Sequence, residues 1–443
     1  MTTCSLTYPC LQTVLEHIEP NLRISFSLHA PSIRLAEKAT PMKIDNLQLD
    51  HTMIKINNTQ YKLGVVQIYN GDDKPDQIEK DNSTGGVLYD LNNHGVPDYS
   101  FEDVLLPGDI LIAQDREGDE QRRAAQFLHL RAALRAATIR LRLEKRAENP
   151  PIPQEVQEVQ EDDVIQPNAA WVDSQYEIWN RMDTVDCKFI ESNQWSVLPH
   201  QLQEDGGVYP FQNYLQLTVR LEGSESSKSL EWLTYTKKLP EAMKHLLNQI
   251  LGNRKKNLHV KNFKPADTGI LRVPKGLKLT TPKIQVGRNL AKTLHALQPV
   301  TGSTFTAIEM TGNGHTLENF QHPAIQHAET VIMTHECRGI TMLALLQGLR
   351  NFEVFWRYGT FTLRETVDFV KHLMEGGRKI GSSFTFGISR DEFAEEIVEA
   401  LYQEVPGAKL ATLEALEGYV WFELPFLLKF QMPDVPLRCQ HPY

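Results

Sequence analysis

The stretch that decides the fold is Phe305-Thr-Ala-Ile308-Glu-Met310-Thr-Gly-Asn313, in which two apolar residues flank a single polar residue. This spacing recurs at intervals of roughly 20 to 30 residues between positions 258 and 388. The recurring pairs are Leu258/Val260, Ile284/Val286, Ile308/Met310, Val331/Met333, Phe352/Val354 and Phe384/Phe386. Alternation of apolar and polar residues is typical of a strand with one buried face. Each pair therefore predicts one short strand.

Segments with helical spacing lie between most of these pairs. Thr362 and Glu365 form a capping box, in which a hydroxyl and a carboxylate each satisfy a free backbone N–H group, and Ser389 and Glu392 form a second. Units of one strand and one helix at this length are typical of a leucine-rich-repeat-like solenoid, which presents a curved, strand-lined binding surface. An ordinary α/β sheet with alternating strands and helices is the alternative. The repeat interpretation predicts a recognition surface rather than a catalytic one.

The composition of the whole chain is that of a globular protein. Its 443 residues are 41% hydrophobic and 23% charged, which leaves room for about three domains. The net charge of −10 argues against nucleic acid as the main partner. No apolar run follows a basic start and no apolar stretch is long enough to span a membrane, so we expect neither a signal peptide nor a membrane-spanning helix. The five cysteines are scattered without a C-x-x-C pair. These features predict a cytoplasmic or nuclear protein with free thiols and no membrane partner.

Local composition divides the chain into segments. Hairpin signals, in which residues alternate on both sides of a polar turn, occur at Asn57-Asn58 and at 222–228. The predicted segments are a helical segment over 1–50, a β-rich segment over 51–115, a basic amphipathic helix over 116–146, an acidic Pro/Gln-rich linker over 147–168, a hairpin-containing segment over 169–236 and the repeat array over 237–443. The predicted fold class is therefore mixed α/β.

The basic helix has two interpretations. Its arginines could form a surface for nucleic acid or for a partner helix. They could equally belong to a solvated helix whose charges pair with the acidic linker that follows, which the acidic balance of the whole chain favours.

The first fifty residues carry apolar stripes with helical spacing. The motif Tyr8-Pro-x-Leu-x-x-Val-Leu-x-x-Ile18, followed by Asn-Leu22-Arg, resembles a shortened F-box, the helical module that docks on the Skp1 adaptor of cullin-based ubiquitin ligases. With the strand expected at 43–49, the chain is similar to a large nematode-expanded family of uncharacterised F-box-related proteins. Further motifs shared with that family are Asn213–Val219, Leu239–Lys244, Asn319–Pro323 and Gly376–Gly381.

The resemblance implies an N-terminal segment that docks on an adaptor and a C-terminal region that recruits a substrate. Matched position by position, the docking residues of the family fall on Pro9, Leu11, Val14, Leu15, Ile18 and Leu22. A helical cap that only buries its own apolar stripe is the alternative. An exposed stripe favours docking, whereas a packed stripe favours the cap.

The sequence carries no recognisable catalytic or metal-binding pattern. Gly376–Ser383 has the glycine spacing of a phosphate loop, but it follows a helix and precedes a strand, which is the reverse of the order such a loop needs. The spacing of His322, His327, His335 and Cys337 fits no zinc site. The common hydrolase, metalloprotease and kinase motifs are not found either. We therefore predict a protein that is not an enzyme and needs neither a cofactor nor a metal.

Partner contacts are expected at the odd positions of the repeat strands and in the turns that follow them. The predicted partner-binding residues are Glu309, Thr311, Phe355, Trp356, Arg357 and Tyr358. The last three have the composition of a binding hot spot, unless Trp356 packs beneath the next helix. The predicted function is a substrate-recruiting subunit of a Skp1–cullin ubiquitin ligase that binds an unidentified protein. The alternative is a stand-alone interaction module without an adaptor.

Overall fold

The computed structural model describes residues 7–69, 76–101, 104–112, 211–223, 227–302, 304–311, 317–334, 348–357, 362–375, 382–388, 391–404 and 426–431. Several sequence-based predictions lie outside these residues. They are the basic helix over 116–146, the linker over 147–168, the second capping box at Ser389 and the contact residue Tyr358.

The N-terminal segment folds as three short helices, α1 (Tyr8–His17), α2 (Pro20–His29) and α3 (Pro31–Ala39). A proline lies in the first turn of each helix, where its missing N–H group would have had no intrahelical partner and its fixed φ suits the helix. The Glu19 carboxylate accepts hydrogen bonds from the N–H groups of Asn21 and Leu22 and so caps α2. The predicted helical character of this segment is confirmed.

The strands of the N-terminal half are β1 (Lys43–Leu49), β2 (Met53–Ile56), β3 (Thr59–Tyr69), β4 (Asp90–Leu91), β5 (Pro97–Asp98), β6 (Ile110–Ile112), β7 (Phe211–Leu221) and β8 (Ser227–Thr234). Strands β1, β2, β3, β7 and β8 pair antiparallel in that order. Both predicted hairpins, β2–β3 and β7–β8, are therefore confirmed. Asn57 has a positive φ of 53° at the first of these turns, a conformation that asparagine tolerates better than most residues.

The strands of the C-terminal half are β9 (Leu258–Lys264), β10 (Gly269–Leu271), β11 (Leu279–Thr280), β12 (Lys283–Val286), β13 (Ala307–Met310), β14 (Thr330–Met333), β15 (Glu353–Trp356), β16 (Ser383–Ile388) and β17 (Phe426–Gln431). Strands β9 and β12 to β16 are parallel, and β17 closes the row antiparallel to β16. A parallel pairing of β1 with β9 joins both halves into one 13-stranded sheet. The protein is thus a mixed α/β fold, as predicted.

The parallel strands lie in a register that brings the predicted apolar pairs side by side. One row consists of Ile284, Ile308, Val331, Val354 and Phe384, and the next of Val286, Met310, Met333, Trp356 and Phe386. All of these side chains are buried. Both rows face the core and form one continuous apolar layer. This layer explains why an apolar pair recurs in the sequence at each parallel strand.

Two of the predicted pairs are displaced from this register. Strand β15 begins at Glu353, so its core-facing pair is Val354 and Trp356, and Phe352 lies outside the strand with 42% of its surface exposed. Lys283 and Ile284 of β12 pair with Asn262 and Phe263 of β9, and not with the predicted pair Leu258 and Val260. An apolar residue next to a strand can look like one more position in the apolar–polar alternation of that strand. The first residue of the strand is therefore known only from its pairing with the neighbouring strand. The leucine-rich-repeat-like array stays a prediction.

The remaining helices are α4 (Asp76–Ser83), α5 (Leu239–Ile250), α6 (Leu290–Thr301), α7 (Leu317–Phe320), α8 (Pro323–His327), α9 (Leu363–Glu375) and α10 (Asp391–Glu404). The predicted capping box of α9 is confirmed, because the Glu365 N–H group donates to Thr362 Oγ1 and the Thr362 N–H group donates to the Glu365 carboxylate. Phe369 of α9 meets the rings of Phe384 and Phe386 edge-on, at centroid distances of 5.2 and 5.7 Å.

Ion pairs attach the segment between α4 and β6 to the C-terminal half. Asp109 is fully buried and accepts hydrogen bonds from Lys244 of α5 and from Arg272. Asp90 accepts a hydrogen bond from the Leu239 N–H group at the start of α5 and another from the Tyr235 hydroxyl. Burial raises the pKa of Asp90, which these two donors partly offset. No helix within the described residues is long and apolar enough to cross a membrane.

Candidate functional site

Large apolar side chains are exposed on the three N-terminal helices. We call them the helical patch, and they are Tyr8, Val14, Leu22, Phe26, Leu28 and Leu35. Leu35 is 82% exposed. Leu22 and Phe26 lie one turn apart on α2, on the side away from the buried Ile24. Exposed apolar side chains that share a helix face, as Leu22 and Phe26 do, are typical of a protein-binding surface.

The predicted docking residues divide by exposure. Pro9, Val14 and Leu22 are exposed, Leu11 and Ile18 are partly buried, and Leu15 is 1% exposed. The exposed side chains are accessible to a partner, whereas Leu15 packs inside the helical segment. The predicted stripe is thus partly a surface and partly the interior of the helices, so both alternatives keep some support and docking stays a prediction.

The buried Arg23 guanidinium holds the three helices together. It donates hydrogen bonds to the carbonyl oxygens of Leu15, Glu37, Thr40 and Pro41, at distances from 2.6 to 3.2 Å. It also donates to Glu37 Oε1 at 3.1 Å. One fork of donors thereby binds carbonyl oxygens near the end of α1 and at the end of α3.

Charged residues also attach these helices to α5. Arg254 lies just after α5, and its Nη2 donates to Glu37 Oε1 at 2.8 Å. Lys38 Nζ donates to the last carbonyl oxygens of α5, those of Gln249 and Ile250, at 2.7 and 3.0 Å. Burial, with the nearby charge of Arg254, lowers the pKa of Lys38 to about 8. The helical patch is therefore carried on a segment with several buried contacts to the rest of the protein.

The main sheet offers a second surface, on the face opposite the buried rows. Over β2, β1, β9, β12 and β13 this face is polar. One row across these strands is Lys55, Gln48, Lys264, Gln285 and Glu309, and a second row is Asn46, Asn262 and Lys283. These residues line one cleft, and we call them the polar sheet face.

Some side chains of the polar sheet face bind one another. Asn262 Nδ2 donates to Asn46 Oδ1 at 2.9 Å, and Gln285 Nε2 donates to Glu309 Oε1 at 3.1 Å. Lys283 Nζ lies 2.7 Å from the other oxygen of Glu309. The side chains of Gln48 and Lys264 form no hydrogen bond or ion pair with the residues that the structure describes. Their polar groups are therefore available to a ligand.

A local irregularity shapes this cleft. Two successive exposed residues, Asp45 and Asn46, interrupt the alternation of β1, and Lys261 and Asn262 interrupt β9 at the same register. Asn57 Oδ1 accepts hydrogen bonds from the N–H groups of Asp45 and Asn46, at 3.0 and 3.1 Å. Such interruptions re-aim side chains relative to a regular strand. They bring two amides, Asn46 and Asn262, together at the rim of the cleft.

The structure separates the predicted partner-binding residues. Glu309 lies on the polar sheet face. Phe355 continues the same row two strands farther along, where it is partly buried between Ile332 and Thr385. Thr311 and Arg357 follow β13 and β15, are partly buried, and extend the strand pairing through their N–H groups.

Trp356 does not belong to a binding surface in this structure. Its side chain is 3% exposed and lies in the core row with Met333 and Phe386. The sequence interpretation placed it in a turn because it began the strand at Phe352. The alternative in the sequence analysis, in which Trp356 is packed inside the protein, agrees better with this burial.

Most of the polar sheet face was absent from the sequence-based predictions. The residues not anticipated are Asn46, Gln48, Lys55, Asn262, Lys264, Lys283 and Gln285. Each is a polar residue in a strand whose residues alternate between apolar and polar. This pattern predicts that the side chain is exposed, but it does not predict which other side chains lie next to it. Lys55 and Lys283 are more than two hundred positions apart, and only the pairing of β1 with β9 brings their strands together.

The described residues contain no group of three histidine, cysteine, aspartate or glutamate side chains that could share a metal ion. Of the histidines considered above, His322 caps α8 by accepting a hydrogen bond from the Ala324 N–H group at 3.2 Å. His327 contacts the carbonyl oxygen of Pro323. These contacts give both side chains structural roles.

Comparison with known families gives one match. The model of a domain of unknown function (DUF3557) matches residues 238–390, about a third of the chain. The matched part begins at α5 and ends after β16, so it contains the strands β9 to β16. It also contains five residues of the polar sheet face, Asn262, Lys264, Lys283, Gln285 and Glu309. No curated protein and no solved structure matches the chain.

Proposed function

We propose that this protein recruits another protein to a Skp1–cullin ubiquitin ligase, with the helical patch contacting a Skp1-type adaptor and the open face of the sheet contacting the recruited protein. The observation that supports this proposal is the exposure of Pro9, Val14 and Leu22, three of the predicted docking residues. Buried contacts of Glu37 with Arg23 and Arg254 attach the helices that carry them to the C-terminal half of the protein. Such a protein needs no chemistry of its own, because holding two partners together raises their effective concentration. It would act in the cytoplasm or the nucleus.

An adaptor would bury the helical patch and leave the sheet free. Large apolar side chains gain most from being removed from water, so Val14 and Leu22 are the docking residues from which we expect the largest contributions. Leu15 contributes indirectly, since it holds α1 against the other helices.

The test is a pull-down of the intact chain with purified Skp1. The best variant is Val14→Glu with Leu22→Glu, because both side chains are exposed and charge at these positions should not disturb the core. Changing Leu15 would confuse docking with folding. Leu88→Glu, at a side chain that is 49% exposed outside these helices, is the matched control.

We expect the intact chain and the Leu88→Glu control to retain Skp1 and the double variant to lose it, with unchanged circular dichroism for all three. If the intact chain does not bind Skp1, the adaptor role is wrong and the stand-alone interaction module becomes the better hypothesis. Equal binding by the double variant would show that the helical patch is not the docking surface.

A further inference from the structure

We infer that the polar sheet face is a binding site for a short acidic segment of protein in extended conformation. This inference rests on the proposed function, since it names the chemistry of the segment that a recruited protein would present. The cleft carries three lysines, Lys55, Lys264 and Lys283, and one carboxylate, Glu309. Its local charge is therefore opposite to the net charge of −10 on the whole chain.

Lys264 is the centre of the site. It lies in the middle of the first row, partly buried between Gln48 and Gln285. Its ammonium group interacts electrostatically with the Asp267 carboxylate but forms no ion pair with the described residues. A partly buried ammonium group forms a stronger contact with a carboxylate than a fully exposed one does, since water screens it less. Lys55 and Lys283 lie on either side and are already paired, with Glu222 at 2.9 Å and with Glu309 at 2.7 Å.

The size of the cleft favours a chain over a single small anion. Lys55 and Lys283 are on β2 and β12, with β1 and β9 between them, so at ~4.8 Å per strand they are roughly 14 Å apart. One carboxylate or phosphate cannot reach both. About four residues of extended peptide, at ~3.4 Å each, span this distance and can direct alternate acidic side chains at the lysines.

The amides of the cleft suit a peptide backbone. Asn46, Gln48, Asn262 and Gln285 each carry donor and acceptor groups, and Gln48 has no hydrogen-bond partner among the described residues. Side-chain amides can donate to main-chain carbonyls and accept from main-chain N–H groups. Nucleic acid fits less well, because the cleft lining has no Tyr or Trp ring and only Phe263, which is buried.

The test is fluorescence anisotropy of the purified full chain with fluorescein-labelled hexaglutamate, in ~50 mM salt. Hexaglutamine is the uncharged comparison. The site variants are Lys264→Gln and Lys283→Gln. The matched control is Lys261→Gln, on the same strand as Lys264, with its side chain 75% exposed and paired with Asp45 outside the cleft.

We expect hexaglutamate to bind and hexaglutamine not to bind. Lys264→Gln should weaken binding about tenfold, which is typical for the loss of a hydrogen bond to a charged group, and Lys283→Gln should weaken it less, because Glu309 already competes for that lysine. Lys261→Gln should change it less than about twofold. Glu309→Gln should strengthen binding, since it removes the carboxylate that belongs to the cleft lining and frees Lys283.

Three results would overturn the inference. They are the absence of hexaglutamate binding by the intact chain, an equal loss with Lys261→Gln and Lys264→Gln, and tighter Lys264-dependent binding of a uridine oligonucleotide than of hexaglutamate. Because this experiment contains no adaptor, its failure is separate from the failure of the pull-down with Skp1. Urea unfolding of each variant checks that a lost signal is not a lost fold.

Discussion

The Nε atom of Arg23 lies 3.1 Å from Oε1 of Glu37, and both side chains are buried where α2 meets α3. Arg254 reaches the same carboxylate oxygen at 2.8 Å from the C-terminal half of the protein. One carboxylate therefore lies between two buried guanidinium groups. It connects the helices that carry the helical patch with the helix that leads into the parallel sheet.

Replacing Glu37 should strongly destabilise the protein. In Glu37→Gln the two guanidinium groups lose their common counter-charge while remaining buried, which typically costs ~3–5 kcal/mol. The free energy of unfolding in urea measures this loss. Asp368→Asn is the control, because it removes a carboxylate from an exposed pair with Arg364, worth less than ~1 kcal/mol. Similar losses in the two variants would contradict the structural role of Glu37.

The lowered pKa of Lys38 predicts a dependence of stability on pH. Its pKa is about 8 in the folded protein, and its ordinary value is near 10.5. Between these values the unfolded chain binds more protons at this position, so the contribution of Lys38 to the free energy of unfolding rises with pH.

Lys38→Met isolates this contribution. The free energy of unfolding of the unaltered protein minus that of Lys38→Met should increase from pH 8 to pH 9.5, by at most ~1.4 kcal/mol per pH unit. Urea unfolding at the two pH values measures it. A difference that stays constant or falls with pH would show that burial does not lower the pKa of this lysine.

Trp356 and Phe355 should respond differently to truncation. Trp356→Ala removes a fully packed ring from the core row and should cost ~3–5 kcal/mol of unfolding free energy. Phe355 points to the other face and is only partly buried, so Phe355→Ala should cost clearly less, on the order of 1 kcal/mol. Thermal and urea unfolding compare the two. The opposite order would contradict the core position of Trp356.

Gly64 should not accept a side chain. A Cβ atom built on this residue of β3 would lie 2.1 Å from the carbonyl oxygen of Gly85, whose segment crosses the strand. Backbone atoms cannot yield as a flexible side chain can, so Gly64→Ala should destabilise the protein by ~1–3 kcal/mol. Gly348→Ala is the control, because no described heavy atom lies within 4 Å of the point that a Cβ atom would occupy there. Equal unfolding midpoints for the two variants would contradict this contact.

Much of the local structure could be predicted because its causes are local. The turn at Asn57-Asn58, the helix from Leu239 and the capping box of Thr362 with Glu365 each depend on residues a few positions apart. The apolar pairs predicted most of the parallel strands for the same reason, since alternation records which face of a strand is buried. The prediction for Trp356 was wrong, because it assigned this residue to the binding surface although alternation from the buried Val354 places it on the core face.

Long-range pairing decided the rest. Asn46 and Asn262, 216 positions apart, are hydrogen-bonded neighbours only because β1 pairs with β9. No local pattern specifies which two strands pair or in which register. Local patterns therefore predicted most of the parallel strands, the N-terminal helices and the alternation of exposed polar positions, because their periodicity is set by backbone geometry. The tertiary structure alone decided that lysines and amides from distant segments share one cleft, because register is fixed by the packing of the buried face.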